Sequence, residues 1–151
     1  DVLAEHGLTM SLVQDVIAGL GPLPGACDFL DELRARTQVI ILSDTFEQFA
    51  APLMRQLHMP TIFCHRLVVE DDRIVGYRLR QPDQKRCSVR AFQSLEYKVI
   101  AAGDSYNDTT MLAQADAGFL FRAPDNVIAE FPQSPAHTGS DELLAAIGAE
   151  L

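Results

Sequence analysis

The stretch VIAAGDSYNDTTML, Val99 to Leu112, decides the reading of this chain. A run of apolar, partly β-branched residues ends at Gly103, as a buried parallel strand would. Gly103 has no side chain, so a ligand or a turn can approach the backbone there. Asp104 and Asp108 follow, four residues apart across a turn that starts a helix. Two carboxylates at one strand end suit a hard cation such as Mg²⁺. Asn107 can donate to a phosphate or hold a carboxylate in place. A single acid could simply cap the helix that begins near Tyr106. Two acids, an Asn and a Gly after a buried strand exceed what a cap needs.

Outward from this segment the chain alternates. Upstream, Lys98 to Ala102 is the strand itself, preceded by a helix over Ser88 to Leu95 and a polar loop, RQPDQKR, over Arg80 to Arg86. Ile62 to Val69 and Arg73 to Leu79 are strand-like, and the acidic Glu70 to Asp72 between them is a hairpin turn. Val39 to Leu42 is a second short apolar strand, followed by a loop at Ser43, Asp44 and Thr45 and a helix over Glu47 to Leu57. Further back, Ala26 to about Arg36 is an amphipathic helix with Leu30 and Leu33 inward. GPLPG, Gly21 to Gly25, is a strong breaker. Leu12, Val13, Val16, Ile17 and Leu20 recur at helical spacing over Thr9 to Leu20, with Thr9 or Ser11 as N-cap. Asp1 to His6 reads as the end of a helix. Downstream, a helix runs through Leu112, a strand covers Ala117 to Phe121, and helices cover about Asp125 to Glu130 and Asp141 to Leu151.

Strands alternating with helices predict an α/β fold with a doubly wound, mostly parallel sheet. Ligands of such sheets bind at the carboxyl ends of the strands. The two polar clusters, Ser43–Asp44–Thr45 and Gly103 to Asp108, both fall at such ends. The domain reading is a small helical segment over 1–20 and a core over 21–151.

Composition narrows the function. The 151 residues are 48% hydrophobic and carry a formal net charge of −9. That argues against nucleic acid or an anionic membrane as the main partner. No apolar run is long enough for a membrane helix. Cys27, Cys64 and Cys87 lack CxxC spacing and read as reduced thiols, which fits a cytoplasmic protein. The four scattered histidines give no metal pattern.

GDSYND resembles the fourth motif of the haloacid dehalogenase superfamily. Ser43, closing the VIIL strand, is similar to the second motif, and Lys85 to the third, with Arg86 an adjacent competitor. VIILSDTFEQFAAPLMRQL, the hairpin followed by RQPDQKRCSV, and VIAAGDSYNDTTML together resemble the phosphoserine phosphatases. Asp44 and Thr45 after the serine match the bifunctional phosphoserine phosphatase/homoserine phosphotransferase subgroup.

The resemblance implies a Rossmann-like core with the remnant of a small helical cap over residues 1–20. It implies a Mg²⁺-dependent phosphatase acting on phosphoserine through an aspartyl-phosphate, with water or homoserine as acceptor, in a possible homodimer. Asp104 and Asp108 would be the metal residues. Ser43, Asp44, Thr45, Lys85 and Asn107 would form the phosphate-binding set. The family's first motif, DxD, supplies the nucleophile, and no DxD follows a strand here. The sequence is therefore expected to begin downstream of that motif and its strand. Two alternatives stand beside this reading: a phosphatase of another small phosphate ester, and a catalytically silent chain that binds phosphate or a partner.

Overall fold

A computed structural model describes residues 7–151. The helix end expected at Asp1–His6 lies outside the described residues. The fold is α/β, and three of the four strand pairings among the described residues are parallel. Two compact units meet in sequence between Pro82 and Asp83, so the expected boundary at Gly21–Gly25 falls inside the first unit. No helix among the described residues is long and apolar enough to cross a membrane.

In the first unit, α1 (Met10–Ala18), α2 (Ala26–Arg34) and α3 (Glu47–Gln56) accompany a sheet of β1 (Ile40–Phe46), β2 (Thr61–Glu70) and β3 (Arg73–Arg78), ordered β1-β2-β3. β1 and β2 are parallel, with Ile40 opposite Thr61, while β2 and β3 form an antiparallel hairpin. Asp71 and Asp72 at its turn both have positive φ, the geometry a two-residue hairpin requires and Asp tolerates. Ala50, Met54 and Leu57 are buried against Leu30, Ile41 and Ile62.

Proline shapes how α1 docks. Pro52 lies inside α3 and has no N–H, so the Gln48 carbonyl four residues earlier loses its helical donor. Gln14 of α1 donates its Nε2 to that carbonyl at 2.9 Å. Thr9 caps α1, its hydroxyl accepting from the Leu12 N–H. The apolar stripe is only partly covered: Leu12 and Val16 on α1 and Leu20 just past its end are 47%, 63% and 60% exposed.

In the second unit, α4 (Gln84–Ser94), α5 (Thr109–Gln114), α6 (Asp125–Glu130) and α7 (Ser140–Glu150) accompany an all-parallel sheet, β4 (Ile100–Gly103), β5 (Ala117–Phe121) and β6 (Ala136–His137). Leu120, on the central strand, is fully buried, and Val89, Val127 and Leu143 are nearly so.

Three expectations need correction. Ser43, Asp44 and Thr45 are not a loop: β1 continues through them to Phe46, with a register irregularity between Leu42 and Phe46. Lys85 and Arg86 are not in a loop either, because α4 begins at Gln84. The two-residue strand β6 is additional; it is too short to leave a pattern in sequence.

Candidate active site

In the second unit the site is built on Gly103, the last residue of β4. A Cβ at Gly103 would lie 2.5 Å from the Asp108 Cβ and 2.6 Å from its Cγ. The close approach that requires glycine is therefore the Asp108 side chain folding back over the strand end.

Asp108 is the hub of the turn. Its Oδ1 accepts from Lys85 Nζ at 2.8 Å. Its Oδ2 accepts from the backbone N–H groups of Asp104 and Ser105, at 3.0 and 3.2 Å, and from the Ser105 hydroxyl at 3.1 Å. Ser105 and Asp108 form a capping box on the 3₁₀ turn Tyr106–Asp108. The capping role, considered from sequence as an alternative to metal binding, is thus filled by Asp108. Burial pushes its carboxyl up, but Lys85 and the loop donors more than offset this and hold it below the usual carboxylate range.

Asp104 differs in every respect. Its side chain is exposed, and no described residue hydrogen-bonds to or pairs with its carboxylate. Ser105 Oγ–H donates to Asn107 Oδ1, and Asn107 is exposed. Tyr106, also within the motif, donates to Glu130 Oε1 at 2.7 Å and accepts from Asn126 Nδ2 at 3.1 Å. The bond to Glu130 raises its phenol above the usual value.

Lys85 reaches Asp108 because α4 starts at Asp83. Asp83 adopts the left-handed region, with φ 48°, and its carbonyl takes the first helical bond from Cys87 N–H. Its carboxylate accepts from Thr110 Oγ1 at 2.8 Å and pairs with Arg86 Nε at 2.7 Å. Arg86 is held at Asp83, so Lys85 is the cation at Asp108. The Asp83 clamp was not anticipated, though Pro82–Asp83 before a polar run carries an N-terminal signal.

In the first unit, the Ser43 Oγ accepts from the Thr45 N–H at 3.3 Å. His65 Nδ1 accepts from the Arg80 N–H, and its Nε2 lies 3.9 Å from Asp44 Oδ1. The Arg80 guanidinium stacks 4.5 Å over the Phe63 ring. The His65 contacts lie where the carboxyl end of β1 meets the middle of β2, with Phe46 opposite His65.

No group of three or more His, Cys, Asp or Glu suited to a metal occurs among the described residues. Mg²⁺, however, is commonly held through one or two carboxylates while keeping several waters. The exposed, unpaired Asp104 carboxylate, beside an Asp108 that is already saturated with donors, fits one protein oxygen ligand of that kind.

Residues 4–116 match the family model described as haloacid dehalogenase-like hydrolase. A phosphoserine phosphatase, ThrH, of Pseudomonas aeruginosa is 64% identical over 142 residues, covering 93% of this chain and 69% of that protein. A phosphoserine phosphatase of Pseudomonas syringae pv. tomato is 63% identical over 143 residues, covering 94% of this chain and 60% of that protein. A solved structure of a phosphoserine phosphatase described as a phospho-aspartyl intermediate analogue superposes with a TM-score of 0.76 at 22% identity, covering 92% of this chain and 70% of that one. The phosphoserine phosphatase of T. onnurineus, in complex with NDSB-201, gives 0.71 at 24%, covering 97% and 70%.

Proposed function

This chain belongs to the haloacid dehalogenase-like hydrolases, and on that premise we propose that it carries the phosphoryl-binding part of a Mg²⁺-dependent phosphatase of O-phospho-L-serine. The observation that carries the proposal is the buried Lys85–Asp108 pair, which fixes the turn and leaves the neighbouring Asp104 carboxylate exposed at a strand end. The substrate rests on the relatives at 63% and 64% identity.

The roles follow from chemistry. Phosphoryl transfer demands in-line positioning and charge neutralisation. Lys85 is an ammonium that donates to Asp108 and would neutralise phosphoryl oxygen charge. Asp104 would hold Mg²⁺, which when bound supplies Lewis-acid neutralisation of the phosphoryl group. Asp108 acts through its neighbours: it orients Lys85 and closes the turn that presents Asp104. Asn107, exposed in the turn, would donate to a phosphoryl oxygen. Ser43, Asp44 and Thr45 are assigned to phosphate binding by their resemblance to the second motif, the Ser43 hydroxyl being the donor. The resemblance also implies an aspartyl nucleophile in a DxD motif, an acceptor that is water or homoserine, a cytoplasmic location and a homodimer. Residues 1–20 are proposed as cap and 21–151 as core.

The test is phosphate release from L-phosphoserine by the native gene product containing these residues, with Mg²⁺ and with EDTA. Mg²⁺-dependent release that falls by about two to three orders of magnitude in Lys85→Ala and Asp104→Asn is expected. Equal release in EDTA, or release only from other phosphate esters, overturns the metal or the substrate assignment respectively.

A further inference from the structure

We propose that Tyr106 is a positioning residue, tying the 3₁₀ turn that presents Asp104 to α6 through Glu130 and Asn126. The functional side of this inference rests on the proposed role of Asp104 as the cation ligand.

The turn has two sides with different support. Its inner side is closed by Asp108, which collects the donors of Asp104, Ser105 and Lys85. Its outer side carries Tyr106, whose ring lies 46% exposed. Packing alone does not account for so exposed an aromatic. Its hydroxyl explains it: the O–H donates to Glu130 Oε1 at 2.7 Å and accepts from Asn126 Nδ2 at 3.1 Å. The ring meets Phe131 edge to face, with centroids 6.1 Å apart. Asn126 near the start of α6, Glu130 at its end and Phe131 just past it thus grip one side chain of the turn. The Tyr106 carbonyl also accepts from Thr109 Oγ1 at 2.7 Å, so movement of Tyr106 is passed directly to the start of α5.

A carboxylate holds a small, geometrically strict cation well only if its backbone is fixed. Asp104 has no side-chain partner to fix it, so its orientation depends on the turn. A tie to a carboxylate is charge-assisted and stronger than a neutral hydrogen bond. In this partly exposed setting, about 1 kcal/mol, or about a 5-fold effect on an equilibrium, is the appropriate scale.

The experiment measures amide hydrogen exchange and Mg²⁺ affinity by calorimetry on the native gene product and on Tyr106→Phe, Glu130→Ala, Glu130→Gln and the Tyr106→Phe/Glu130→Ala double variant. Exchange at Asp104, Ser105 and Asp108 should quicken about 5-fold in Tyr106→Phe and Glu130→Ala. It should quicken no further in the double variant, and Glu130→Gln, which keeps an acceptor, should recover most of the protection. The amides of Ile100 to Ala102 should be unchanged, and Mg²⁺ should bind about 5-fold more weakly wherever the turn is loosened. Unchanged exchange at the turn, equal acceleration across the whole unit, or additive effects in the double variant would each overturn the tie. Mg²⁺ binding that is indifferent to Asp104→Asn would instead overturn the proposed cation role, while the exchange data still judge the tie.

Discussion

Lys85 Nζ lies 2.8 Å from Asp108 Oδ1, in a pair whose side chains are only 9% and 8% exposed. Removing one member of such a pair strands the other charge away from water, which is far costlier than replacing both. Asp108 keeps the donors of Asp104 and Ser105 when Lys85 is lost, so the cost falls at the low end of the range. Lys85→Met should lose about 3 kcal/mol of stability in urea titration, and Lys85→Met combined with Asp108→Asn less than the sum of the single changes. A Lys85→Met protein within about 0.5 kcal/mol of the parent would show that the pair is not coupled to folding.

Gly103 is constrained by the same side chain. The Cβ of an alanine would sit 2.5 Å from the Asp108 Cβ, and Asp108 is anchored at both oxygens and cannot swing aside. Gly103→Ala should cost about 2 to 3 kcal/mol, as overpacking against rigid neighbours does. At Gly21 nothing lies within 4 Å and no positive φ intervenes. Gly21→Ala should therefore be neutral or slightly stabilising, by up to about 1 kcal/mol. Equal effects at the two positions in thermal unfolding would refute the steric account.

These two positions also mark how far the sequence could be read. Strand Ala117–Phe121 and helix Asp125–Glu130 have the bounds expected, because turn residues flank a clear run in each case. The motif from Gly103 to Asp108 is visible in the sequence, and so is a capping role for its acids; the part played by Ser105 is not. Capping and cation binding looked like rivals for both acids, whereas the structure divides them, one acid capping and the other exposed. Lys85 was placed in a loop because Gln84 to Arg86 has no apolar residue. The helix there starts from Asp83 and its contacts with Thr110 and Arg86, one of them a partner distant in sequence. Ser43 to Thr45 looks like a loop because polar residues interrupt the apolar run, yet the strand runs through them and pairs with β2 again at Phe46, past a register shift. The stripe of Leu12, Val16 and Leu20 was legible as a helix, but periodicity says nothing about how much of it is covered.

Acid sensitivity should have a local component at Asp116. Its Oδ2 accepts from the Val99 N–H at 2.8 Å and from Gln93 Nε2 at 3.2 Å, pinning the residue before β4. The Val99 bond, then the Gln93 bond, hold its carboxyl below the usual range despite its exposure. A depressed folded value means that the stabilisation is present above the ordinary carboxylate pKa of about 4 and is lost as pH falls through the folded value. Asp116→Ala should therefore be less stable than the parent at neutral pH, with the gap closing progressively below about pH 4. A gap in urea midpoint that stays constant into acid would assign the effect to packing instead.

The two acids of the turn should separate binding from folding. Asp104 is exposed and its carboxylate has no partner among the described residues, so Asp104→Asn should leave stability within about 0.5 kcal/mol of the parent. If Asp104 is the cation ligand, the same change should weaken Mg²⁺ binding by about 100-fold or abolish it. Asp108→Asn should do the opposite in order of severity. It replaces an acceptor of four donors by an amide with one acceptor oxygen, so the buried Lys85 ammonium faces a neutral amide in place of the Asp108 carboxylate. Its urea midpoint should drop clearly, and any weakening of Mg²⁺ should follow from the loosened turn and stay smaller than that in Asp104→Asn. Calorimetric titration and urea unfolding on both variants read the two quantities independently. Weak Mg²⁺ binding in Asp108→Asn with normal binding in Asp104→Asn would reverse the assignment and make Asp108 the ligand.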